Sequence, residues 1–276
     1  MANAVKVAKK ENDGKGGGMI TGIIIVGCLI LGFIIWKFIM GAGANFEGGV
    51  NTGEPLPNNY LAMVYKGGPI VPILLGCLLM VVVFSIERFL VISKSAGKGN
   101  LDAFMTKVQA SVKGGDIDGA IAACDKQKGS VANVIKSGLV KYQAVKEEGF
   151  TSEEATETIQ KEIEEATSLE MPMLEKNLTI ISTMVSLGTL AGLLGTVTGM
   201  IKAFGALSAG TPDQGALASG ISEALINTAT GISTSALAII MYNFFTSKID
   251  TLTYSIDEAG STIVNTYRRF RGSLKN

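Results

Sequence analysis

Hydrophobic residues gather along this chain in four long blocks, at positions 19–40, 69–92, 178–206 and 215–247. Each block is at least as long as the roughly 20 apolar residues a helix needs to cross a bilayer. The first, MITGIIIVGCLILGFIIWKFIM, closes on Trp36 and Lys37, an aromatic anchor and a cation that can snorkel to an interface. The second begins GGPIVPILLGCLLMVVVFSIERF. Pro69 and Pro72 suit a helix start, and Glu87 with Arg88 is expected to mark the return to water. The third and fourth are separated only by a short polar turn, residues 207–214.

Between the second and third blocks lies a polar stretch, residues 93–177, punctuated as helices. Asp116 is placed to cap an apolar periodic run that Gly129 follows. Thr151 and Ser152 can cap a helix whose first turn carries Glu153 and Glu154, charges that suit the positive end of a helix dipole. Three or four helices are expected there. The remaining segments are a basic amino terminus (1–18), a loop (41–68) and a carboxy-terminal helix (248–276).

Basic residues near span ends favour the cytoplasmic side. Lys6, Lys9, Lys10 and Lys15 precede the first span, Arg88, Lys94 and Lys98 follow the second, and Lys248, Arg268, Arg269 and Arg271 follow the fourth. Both termini and the 93–177 domain are therefore expected in the cytoplasm, with the 41–68 loop and the 207–214 turn outside. A rival reading takes Ala42–Ala44 (AGA) as a signal-peptidase site. The long basic and apolar stretches before it argue for a retained first span instead.

The last two spans are unlike ordinary lipid-facing helices. At about 100° per residue, Ser182, Ser186, Thr189 and Thr196 share one sector of the third, and beside them runs a stripe of Gly188, Gly192, Gly195 and Gly199. Small residues at that spacing let a second backbone approach closely. In the fourth span Ser219, Glu223, Asn227, Thr230 and Thr234 share a sector, while Ala224, Thr228, Gly231 and Ser235 form a second, small-residue stripe. Glu223 and Thr228 stand about 140° apart, so one face should meet a helix and the other a cavity. Interhelical hydrogen bonding accounts for single serines such as Ser182, Ser186 and Ser235. It does not account for Glu223, since an acid at mid-membrane costs about 2.5–3.5 kcal/mol and usually faces a protein interior or a water-filled path.

Composition narrows the function. Hydrophobic residues make up 47% of the chain and charged residues 17%, with a mean hydropathy of +0.36, as expected of a membrane protein. Lys and Arg (24) balance Asp and Glu (24), so no overall field points to nucleic acid. Histidine is absent, which leaves carboxylates or a partner's groups for any proton transfer near neutral pH. Cys28, Cys77 and Cys124 lie far apart, without metal-ligand spacing. No phosphate loop or activated nucleophile is visible, so an enzyme, a metal and a cofactor are all unexpected.

The segments GGPIVPILL and SIERF in span two, GDIDGAIAAC in the polar domain, GLLGTVTGMI in span three and GISEALINTATGISTSALAIIMYN in span four together resemble the ExbB/TolQ/MotA family of proton-driven motor subunits, ExbB most closely. The resemblance covers about residues 66–250. It implies an all-α, polytopic inner-membrane protein whose long transmembrane helices extend into a cytoplasmic helical bundle and assemble as a homopentameric ring. It also implies an ExbD-like single-span partner that carries the proton-accepting aspartate, and a TonB-like protein that passes the energy to outer-membrane transport. By the same resemblance Thr196, Thr228 and Glu223 belong to the proton pathway. An extra first span departs from the family's three-span pattern. TolQ-like envelope maintenance and a gliding or secretion motor stay open within the family. Outside it stand a self-contained secondary transporter and a purely structural scaffold, although the paired repeats and broken helices of transporters are not evident.

Overall fold

The computed structural model describes residues 2–147, 150–208 and 213–273. Among them the chain is helical, without a named strand; a single bridge joins Phe46 to Pro55. Nine α-helices follow in order: α1 (Ala2–Ile34), α2 (Tyr60–Tyr65), α3 (Val71–Ser95), α4 (Leu101–Lys113), α5 (Ile117–Gln127), α6 (Ser130–Glu147), α7 (Ser152–Glu175), α8 (Leu178–Ser208) and α9 (Gln214–Ser273). Positions 209–212 of the expected outer turn lie outside the described residues.

Four helical runs are long and apolar enough to cross a membrane: Gly18–Met40, Gly68–Ser95, Ser152–Leu207 and Gln214–Phe270. The 60 residues of α9 rise about 90 Å at 1.5 Å each, against a hydrocarbon core of about 30 Å. The fourth span and the carboxy-terminal segment, read separately in the sequence, are thus one helix, about three times as long as that core is thick. The chain divides into two compact units, Met1–Ser85 with Thr179–Tyr242, and Ile86–Leu178 with Asn243–Asn276.

In the first unit α1 ends in a π-helical turn, Ile35–Met40, and crosses α3 where glycine meets glycine. A methyl on Gly32 would lie 2.7 Å from Gly76 N and 2.8 Å from Pro72 O, so the backbones touch. Met40, Val71 and Leu75 form a buried cluster with Trp36 and Tyr65, whose rings stack at 4.9 Å. The Trp36 indole also donates to Tyr65 O at 3.3 Å. Asn45, just past the AGA tripeptide, donates to Ile39 O and Met40 O and ties the loop to the end of the first span.

The second unit holds the apolar core of α4–α7 and the distal half of α9. Asp116 caps α5 by accepting from Gly119 N, and Gly129 follows in a left-handed conformation. Thr151 and Glu154 form a reciprocal capping box at the start of α7. Hydrogen bonds from Thr151 hold the exposed Glu154 carboxyl below its ordinary range. Ile135, Leu139, Ile159, Ile256 and Ile263 are fully buried together with Tyr267, whose ring meets Tyr142 edge-on at 4.9 Å. Arg88, expected to face water, is instead 2% exposed. Its guanidinium pairs with Glu87 and donates to Met173 O at 3.0 Å and Leu174 O at 3.1 Å, two carbonyls that the end of α7 leaves unpaired. Glu87 in turn accepts from Asn177, whose φ of +66° breaks the path between α7 and α8.

Candidate functional site

Close approach of α8 and α9 builds the site. Every glycine of the α8 stripe faces α9. Added methyls would lie 2.7 Å from Ser235 Oγ at Gly188, 3.0 Å from Asn227 O at Gly192 and 2.8 Å from Ala224 N at Gly199, while Gly195 lies under Asn227. Gly231 answers from α9, where a methyl would stand 2.8 Å from Gly192 Cα. With no side chains between them, the backbones come near enough for short hydroxyl side chains to meet across the seam.

Two such pairs form. Thr189 donates to Ser235 Oγ at 2.9 Å. Thr196 and Thr228 share a close hydroxyl contact in which either can be the donor, and a carbonyl of its own helix, Gly192 O or Ala224 O respectively, is the alternative acceptor for each hydroxyl's single proton. Both threonines are half-buried in the single chain. A hydroxyl can donate and accept at once, so a pair of them can pass a hydrogen bond on to a third group that approaches from the open side.

Glu223 does not join them. It is 9% exposed, and its Oε1 accepts from Lys202 Nζ of α8 at 2.6 Å. The carboxylate lies against Gly68, where φ is +78° and a side chain would collide with it. One turn further along α9, Asn227 is wholly buried and donates to Gly67 O at 2.8 Å; its own Oδ1 has no hydrogen-bonding partner among the described residues. Of the sector Ser219, Glu223, Asn227, Thr230 and Thr234, Glu223, Asn227 and Thr234 are buried within the chain, Thr230 is half-buried and Ser219 is exposed. Lys202 went unnoticed in the sequence. It is the sole basic residue between positions 178 and 247, a signal that could have marked it as the partner of Glu223.

Ser182 is half-buried and Ser186 exposed, with Leu190, Leu193, Leu194 and Val197 exposed on the same helix. A single chain thus presents α8 and α9 as a surface that is apolar in part and hydroxylated in part. Among the described residues no group of three or more His, Cys, Asp or Glu could hold a metal.

Residues 126–258 match the model of a family described as the MotA/TolQ/ExbB proton channel family. A biopolymer transport protein named ExbB-like 3, from Synechocystis sp., is 32% identical over 111 residues, 39% of this chain and 53% of that protein. The Tol-Pal system protein TolQ of Pseudomonas aeruginosa is 28% identical over 161 residues, 57% of this chain and 69% of TolQ. A second Synechocystis sp. protein, ExbB-like 1, is 35% identical over 95 residues, 33% of this chain and 37% of that protein. The chain thus spans between about a third and two thirds of the length of these relatives, and only about half that of the first. All three site residues fall inside the 126–258 match.

Proposed function

The chain belongs to the MotA/TolQ/ExbB proton channel family, and on that premise we propose that it is the ring-forming subunit of a proton-driven motor in a bacterial inner membrane. Five copies enclose the helices of an ExbD-like single-span partner. The termini and the 93–177 domain face the cytoplasm. The observation that carries the reading is the Thr196–Thr228 hydroxyl pair, set on a glycine seam and half open. Copies arranged with that side inward present a ring of hydroxyls to a carboxyl on the partner helix. The hydroxyls accept from the protonated acid and donate to the ionised one, so neither state of the acid is left unpaired in a medium of low dielectric constant.

The driving force is adequate in scale, since one charge crossing the membrane releases about 2.3 kcal/mol per 100 mV. A few protons per stroke suffice to move one helix against a surrounding ring. A TonB-like protein then carries the motion to outer-membrane transporters. The longer match to TolQ favours a second reading, envelope maintenance by the same motor chemistry.

The test is proton flux into liposomes that contain the complex purified with its co-eluting partner. Thr196→Val and Thr228→Val keep the shape and remove the hydroxyls. Assembled rings that lose flux in both variants support the proposal; wild-type flux in both refutes it.

A further inference from the structure

Glu223 and Thr228 leave α9 about 140° apart, and Lys202 and Thr196 leave α8 about 120° apart. The ion pair and the hydroxyl pair therefore flank the glycine seam, the ion pair on the side of the Gly67–Gly68 turn and the hydroxyl pair on the other. A seam of small residues is smooth. Gly188, Gly192, Gly195, Gly199 and Gly231 allow close approach but do little to distinguish one register from a slip or a rotation. In helix pairs generally, register is fixed by a polar or charged contact that only one alignment satisfies.

We propose that Lys202 is a positioning residue: acting through Glu223, it clasps α8 to α9 and to the Gly67–Gly68 turn, and so sets the register that brings Thr196 against Thr228. Its value for conduction rests on the motor reading above. The clasp has three points. Lys202 Nζ reaches Glu223 Oε1 at 2.6 Å, the Glu223 carboxylate seats on Gly68, and Asn227 ties the next turn of α9 to Gly67 O. Lys66, which precedes the Gly67–Gly68 turn, donates instead to Thr52 O at 3.4 Å. Lys202 is the sole base between positions 178 and 247, and Asp213 is the sole other acid. Glu223 is buried, faces away from Thr228 and spends an oxygen on Lys202, so it holds the helices rather than carrying the ion.

The experiment separates the clasp from the motor. In the full-length protein with Cys28, Cys77 and Cys124 replaced by alanine, Thr196→Cys and Thr228→Cys are introduced together and disulfide formation is timed in membrane vesicles. Lys202→Met and Glu223→Gln should each slow it about fivefold, the upper range for a partly exposed ion pair. Lys202→Arg should retain the rate, and the reversal Lys202→Glu with Glu223→Lys should restore it, which excludes a general loss of fold. Proton flux, measured with both threonines present, should follow the same order. If cross-linking behaves this way while wild-type complexes conduct no protons, the clasp stands and the motor reading falls. A wild-type cross-linking rate in Lys202→Met, or a Glu223→Gln variant that loses flux without losing cross-linking, overturns the clasp.

Discussion

Asn227 fills the space that a side chain at Gly195 would need. A methyl added to Gly195 would collide with Asn227 Cβ, Cγ and Nδ2 together, and Asn227 is held in turn by Gly67 O. Neither side can yield cheaply, because moving Asn227 breaks a buried hydrogen bond. Gly195→Ala should therefore destabilise the protein by about 1–3 kcal/mol, the usual cost of overpacking. Thermal unfolding in detergent measures this. Gly205→Ala is the control, since a methyl there meets nothing within 4 Å and alanine is the better helix former.

Arg88 performs for α7 what a carboxy-terminal cap usually does. Removing it leaves Met173 O and Leu174 O without their donor and Glu87 without its guanidinium. Arg88→Ala should cost about 3 kcal/mol, the loss expected when one partner of a buried charged contact is deleted. Arg88→Lys keeps the charge but not the planar fork, and should recover only part of that loss. Unfolding by denaturant of the two variants beside the wild type checks both statements.

Cys124 sits 2% exposed in α5, and burial is the main cause that pushes its thiol up to about 12. Asp125 adds to the rise and Lys136 opposes it. The thiolate is the reactive form, so Cys124 in the folded protein should resist alkylation at pH 8 and react once the chain is unfolded. Peptide mass spectrometry after iodoacetamide distinguishes it from the other cysteines. The same shift has a thermodynamic consequence. Above the ordinary thiol value, near 8.5, the unfolded chain releases a proton that the folded chain keeps up to about 12. This residue's contribution to stability is therefore present below pH 8.5 and declines as pH rises through that window.

Much of the fold was legible because it follows from local chemistry. The four apolar blocks, the Asp116 cap and the Thr151 cap are each set by residues within a few positions of one another. The spacing of Gly188, Gly192, Gly195 and Gly199 already indicated a face for close approach, and those glycines lie against α9. Contacts between distant residues were less visible. Arg88 meets carbonyls 85 and 86 positions away, so by sequence it passed for an interfacial charge. The angle between Glu223 and Thr228 was readable, but the group that occupies the Glu223 side was not, because the Gly67–Gly68 turn reaches it from about 155 residues earlier. The hydroxyls on both helices were evident, whereas their pairing depends on the register of one helix on the other.

Water beside the Thr196–Thr228 pair is the claim on which the rest of the account depends. Its most direct test is the reactivity of single cysteines at positions 196 and 228, in the assembled complex, toward a small water-soluble methanethiosulfonate and a lipid-soluble maleimide. The account predicts that both positions react with the water-soluble reagent, while a cysteine in place of the exposed apolar residue Leu194, which leaves α8 about 160° from Thr196, reacts only with the lipid-soluble one. Labelling of positions 196 and 228 by the lipid-soluble reagent alone would place the hydroxyls against acyl chains and contradict it.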